Sequence, residues 1–95
     1  KIRRGPHFGA PSAEAQIVAL FDSLAAVLAT AGLEFCHVAR LTAYVRSFDP
    51  EFMEAYRQVR SRYVNAACPP ASVMIQAGLY DPRLLVEVEA LAILP

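Results

Sequence analysis

The stretch that decides the fold is CPPASVMIQAGLYDPRLLVEVEALA, residues 68–92. Pro69 and Pro70 cannot continue a helix, so a new element has to start after them. Two apolar runs follow, and Tyr80-Asp81-Pro82-Arg83 between them is turn chemistry. The spacing predicts strands over 72–79 and 84–93, joined by a link short enough for a hairpin. In the second run Glu87 and Glu89 share a face with Leu85 and Leu91, while Leu84, Val86, Val88, Ala90 and Ala92 take the other. A carboxylate in such a strand costs several kcal/mol unless it is paired, hydrogen-bonded or left at a cleft.

Upstream, the period-two pattern recurs over His37 to Arg46. His37, Ala39, Leu41, Ala43 and Val45 take one face, and Val38, Arg40, Thr42, Tyr44 and Arg46 the other. Before it, Ile17, Leu20, Phe21, Leu24, Leu28 and Ala31 repeat at helical spacing. Ser12 stands at the N-cap, Glu14 in the first turn and Gly32 at the C-terminal end. After the strand, Ser47-Phe48-Asp49-Pro50 leads into a second helix lined by Phe52, Tyr56, Val59 and Tyr63. Residues 5–11, rich in Gly and Pro, read as a loop. The order helix, strand, helix, strand, strand predicts an α+β sandwich, two helices on one face of a mixed sheet, with a parallel crossover between the strands at 37–46 and 72–79.

At 95 residues this is one domain, near the small end of what folds alone, yet 56% of it is hydrophobic. Both faces of the last strand are largely apolar, so the face away from the helices needs cover from outside the chain. A symmetric homo-oligomer is the commonest solution. Nine basic and nine acidic residues leave no field of one sign for nucleic acid, Lys1 to Arg4 being at most a small basic arm. The fully apolar runs are short for a membrane span, no apolar stretch follows the basic start as in a signal peptide, and no initiator Met is present. Cys36 and Cys68 show no CxxC spacing, so a reduced, cytoplasmic chain is expected, with Cys68 inert. His7 and His37 stand alone, without companions at metal spacing. Glu87 and Glu89 have two readings, an acid/base or water-orienting carboxylate at a subunit cleft, or a salt bridge across the sheet to Arg40 or Arg46.

Four segments together resemble the RidA/YjgF family, also called Rid or L-PSP. They are the "EAQ" helix entrance, the "AAVLATAG" exit, the "VARLTAYVRS" strand and "VEVEALA", in this order from Ser12 to about Ala92. The resemblance implies a chorismate-mutase-like fold and a homotrimer, with active sites in clefts between subunits. It also implies hydrolysis of enamine or imine intermediates to 2-keto acids and ammonia without metal or organic cofactor. The family's water-positioning Glu falls on Glu87. The deaminase branch grips the substrate carboxylate with an Arg before the third strand. That position is Ala71 here, followed by Ser72, and the family's frequent helix Asn falls on Tyr56. Arg83, Arg46 and Arg40 are the substitute cations at hand, although Arg83 after a turn proline also reads as simply solvated. The family's N-terminal hairpin is nearly absent, so a single domain over 1–95 with a shortened N-terminus is expected.

Three functions follow. The first is a Rid-like protein of a branch without the deaminase Arg, binding a small metabolite between subunits and hydrolysing it, with Glu87 as catalytic residue and Ser72, Ala71, Tyr56 and Arg83 lining the ligand. The second is a non-catalytic trimeric ligand-binding or regulatory module, or a domain of a larger, chorismate-handling enzyme. The third, a ribonuclease, is disfavoured by the neutral charge and the lack of an aromatic-basic surface.

Overall fold

The computed structural model describes residues 12–94. The basic start, the Gly- and Pro-rich loop with His7, and the remnant hairpin strand lie outside the described residues.

Helix α1 spans Ala13–Thr30. Ser12 is extended, and its Oγ accepts from the Ala15 N–H at 3.0 Å. At the other end Gly32 adopts φ 73°, the left-handed conformation that closes a helix. Its N–H donates to the Ala29 carbonyl at 3.0 Å, and that of Leu33 to the Leu28 carbonyl at 2.9 Å. Helix α2, Pro50–Tyr63, starts on Asp49, whose carboxylate accepts from the Phe52 N–H at 3.1 Å. Proline at the first helical position has no N–H to leave unpaired.

Three strands form one mixed sheet in the order β2-β1-β3: β1 Val38–Val45, β2 Ala71–Gln76 and β3 Val86–Ala92. β1 and β2 are parallel across α2, as the sequence predicts. The hairpin is not formed. β3 pairs antiparallel with the opposite edge of β1. Residues 77–85 carry the chain past the end of β1, and two polar side chains hold that path. The Arg46 Nε donates to the Leu84 carbonyl at 2.8 Å, and its guanidinium also reaches the Leu79 and Asp81 carbonyls at 3.3 and 2.7 Å. Buried Gln16 donates to the Arg83 carbonyl at 2.7 Å and accepts from the Leu85 N–H at 2.9 Å. This explains the glutamine of the "EAQ" entrance: it pins α1 to the linker.

The core lies between the helices and one sheet face. Leu41, Ala43 and Val45 of β1 and Val86 and Val88 of β3 meet Ile17, Phe21, Leu28, Phe52 and Val59. Each fully buried large aliphatic side chain contributes about 1.5–3 kcal/mol. The expected inward set on β1 holds from Leu41 on. At its start Val38 is buried and His37 only partly so, because an irregularity between Val38 and Arg40 shifts the alternation.

Cys36 and Cys68 form a disulfide, which corrects the expectation of reduced, unrelated thiols. They are 32 residues apart in sequence, and no spacing rule links them. Parallel pairing does: β1 and β2 start at the same end of the sheet, so the turn at Phe35–His37 and the loop before Ala71 are neighbours. The bridge removes the cysteine argument for a reduced compartment. By length and composition α1 is also long and apolar enough to cross a membrane, although Ile17, Phe21 and Leu28 pack it into the core.

Candidate functional site

The sheet face turned away from the helices carries the candidate site. Residues in register share a face, so the pairing sets out three rows. Ala71, Arg40 and Leu91 form the first, Val73, Thr42 and Glu89 the second, and Ile75, Tyr44 and Glu87 the third. One edge is therefore apolar, the centre polar, and the other edge acidic with Leu91 at its end.

Glu87 is partly buried and Glu89 exposed. The expected ion pairs to Arg40 or Arg46 are not formed. Tyr44 takes their place, its hydroxyl donating to Glu89 Oε1 at 3.2 Å. This bond, followed by burial and the charges of Glu89 and Glu87, holds the Tyr44 phenol above its ordinary pKa, and Arg40 opposes the shift. Tyr44 is thus a protonated donor at neutral pH, placed beside Glu87 and bonded to Glu89. Arg46 is consumed by the linker carbonyls. Arg40 is exposed and forms no hydrogen bond or ion pair among the described residues. It pairs in register with Ala71, whose methyl offers it no polar partner.

The predicted ligand residues are separated by the fold. Ala71 and Glu87 share the open face, two rows apart. Ser72 pairs with Leu41 and so points to the other side of the exposed edge strand β2. Tyr56 is 4% exposed, stacks on Phe52 with ring centroids 6.5 Å apart, and packs at a tilt against Phe21 at 5.9 Å. It is a core residue of this protomer, and burial pushes its phenol to about 12. Arg83 sits in the linker with its Nε 3.1 Å from an Asp81 carboxylate oxygen, a pairing that lowers the Asp81 pKa and raises that of Arg83. The alternation of Arg40, Thr42 and Tyr44 is the sequence signal for the polar centre. It marks a face without saying that Tyr44 takes the place of an arginine.

His37 is structural. Its Nδ1 accepts from the Glu34 N–H at 3.0 Å, closing the turn before β1. No group of three His, Cys, Asp or Glu fit for a metal occurs among the described residues. At the far end of β1, on the helix side, a half-open pocket of about 250 Å³ is lined by Ala13, Arg46, Asp49, Glu51, Phe52 and Leu85 among others. It falls below the roughly 300–1,000 Å³ usual for ligand sites, and its one cation is already engaged.

Comparison with known proteins accords with this architecture. The family model described as Endoribonuclease L-PSP matches residues 3–94. A curated relative, Protein DfrA of Myxococcus xanthus, is 34% identical over 79 residues. That match covers 83% of this chain but 58% of the relative, so the chain spans little more than half of the relative's length. Among solved structures, a protein of the Rid family from Yersinia pestis is 35% identical with a TM-score of 0.75, over 85% of this chain and 62% of that one. A member of the YjgF protein family from Neisseria meningitidis is 26% identical with a TM-score of 0.79, over 86% of this chain and 67% of that one.

Proposed function

We propose, from the premise that this chain belongs to the Endoribonuclease L-PSP family, the one also named YjgF and Rid, that it binds a small metabolite carboxylate in clefts between the copies of a homotrimer. The observation that carries this reading is the open sheet face. It joins an apolar edge to a partly buried carboxylate, a protonated phenol and a guanidinium that makes no ion pair among the described residues. Glu87 is the acid/base candidate. A carboxylate in this setting can take a proton from water as it attacks an imine carbon, and return one to the departing ammonia. Arg40 is the cation for the ligand's carboxylate.

Within one copy the Cα atoms of Arg40 and Glu87 stand roughly 14 Å apart, four residues along the sheet and one strand across. A small ligand therefore meets both most easily where two copies join. Such a distance favours binding over fast turnover, as does Ala71 at the family's arginine position. Cytoplasmic placement is part of the proposal and rests on the metabolite chemistry alone. The chain acts as one domain.

The test is an ammonia-release assay with imines generated in situ from amino acids. Slow turnover is expected, reduced about tenfold or more by Glu87→Gln. Robust turnover unaffected by Glu87→Gln would overturn the role of Glu87. The non-catalytic module is the outcome in which pyruvate binds and no ammonia is released by the wild-type protein.

A further inference from the structure

The Cys36–Cys68 bridge lies at the end of the sheet that carries Arg40 and Ala71. Cys36 is in the turn that feeds β1, and Cys68 three residues before β2. Neither sulfur belongs to the buried core cluster, and Cys36 is exposed while Cys68 is partly buried. The loop containing Cys68 has few other ties. The Ala67 N–H donates to Asn65 Oδ1 at 2.8 Å, the Cys68 N–H donates to the Asn65 carbonyl at 3.1 Å, and Pro70 is buried. Among the described residues β2 is an edge strand that pairs with β1 alone, and its side chains are exposed apart from the partly buried Met74.

We infer that this disulfide is a redox-controlled clamp on the entrance of β2. Closed, it fixes the start of β2 against β1 and keeps Ala71 beside Arg40. Opened, it loosens the first residues of the edge strand and leaves the core intact. Its effect on ligand binding rests on the metabolite-site reading above, whereas the clamp itself does not. The opening step needs a dithiol reductant. One reductant thiolate attacks the exposed Cys36 Sγ, the S–S bond breaks, and Cys68 leaves as a thiolate that takes up a proton. The second reductant thiolate attacks the sulfur joined to Cys36, which leaves and is protonated in turn. The protein gains two electrons and two protons, and the reductant ends as a disulfide.

Hydrogen exchange on the oxidised protein, the protein reduced with dithiothreitol, and the Cys36→Ser/Cys68→Ser variant tests the clamp. The expected result is roughly tenfold or faster exchange over 66–68 and 71–73 in the reduced and variant forms, with α1 and β3 losing protection only as far as the global stability falls and remaining the most protected elements. Equal exchange in oxidised and reduced protein would overturn the clamp, and so would global unfolding on reduction, which would make the bridge a staple for the whole fold. Pyruvate titration of the same samples, followed by NMR, separates the two proposals. Several-fold weaker binding on reduction supports both. Faster exchange with no pyruvate binding in any form keeps the clamp and rejects the metabolite site. Faster exchange with equal pyruvate binding rejects control of the site by the clamp.

Discussion

Family resemblance matches Tyr56 to a ligand position, while its own helical spacing with Phe52, Val59 and Tyr63 puts it on the buried stripe. The structure sides with the spacing, and burial has a measurable consequence. The folded phenol titrates at about 12 against an ordinary value of 10.0. The folded state therefore holds this proton more tightly than the unfolded chain does. The contribution is complete below pH 10 and is lost as pH rises towards 12. Two pKa units correspond to about 2–3 kcal/mol at most. Denaturant unfolding at pH 9 and near pH 12 should show the wild-type protein losing more stability than Tyr56→Phe, by about 1–2 kcal/mol. An identical pH dependence of the two would mean that the hydroxyl is solvated. Glu87 was legible as a carboxylate in an apolar strand, but its neighbour Tyr44 was not. Strand alternation says which residues share a face, and only the pairing of β1 with β3 says which of them touch.

Both helices were legible because their ends carry chemistry as well as periodicity: Ser12 and Asp49 cap the starts, and Gly32 ends α1. At Gly32 an added Cβ would have no neighbour within 4 Å, so the whole cost of Gly32→Ala is the left-handed backbone. That cost is about 1 kcal/mol, which lowers the melting temperature by roughly 4–8 °C in a domain of this size. No change in melting temperature would mean that α1 ends without the left-handed residue. The strands were legible as elements and not as a topology. Apolar runs with a short turn between them look like a hairpin, and what sends β3 to the other edge of β1 is a pair of long-range anchors, Gln16 and Arg46, which no local pattern reveals. The disulfide escaped for the same reason, since it depends on two parallel strands starting side by side. It closes a loop of 32 residues. In the chain-entropy account such a loop contributes about 3–4 kcal/mol. Reduction should therefore lower the melting temperature by roughly 12–30 °C while leaving a cooperative transition. An unchanged melting temperature would show that the reduced chain keeps the two segments together without the bond.

The excess of apolar residues for so short a chain finds its place on the open sheet face. Val73 is 46% exposed, Ile75 42%, Leu91 50% and Ile93 59%. Apolar residues scattered singly over a surface need no explanation, but these lie along the two edge strands of one three-stranded face. The third row passes from Ile75 through Tyr44 to Glu87, so in the proposed trimer a copy that packs across this row meets both edges. On that proposal assembly and site formation are a single event, and one substitution can test the link. Ile75→Lys puts a strongly hydrated charge on the apolar edge. Because Ile75 is outside the core of the protomer, the fold itself should change by no more than about 0.5 kcal/mol. Sedimentation velocity should find the wild-type protein as a trimer and Ile75→Lys as a folded monomer, with pyruvate binding lost from the variant although Arg40, Tyr44 and Glu87 are untouched. A wild-type protein that sediments as a folded monomer would remove the cleft. A monomeric Ile75→Lys that still binds pyruvate as the wild type does would place the whole site on one sheet and make assembly irrelevant to it.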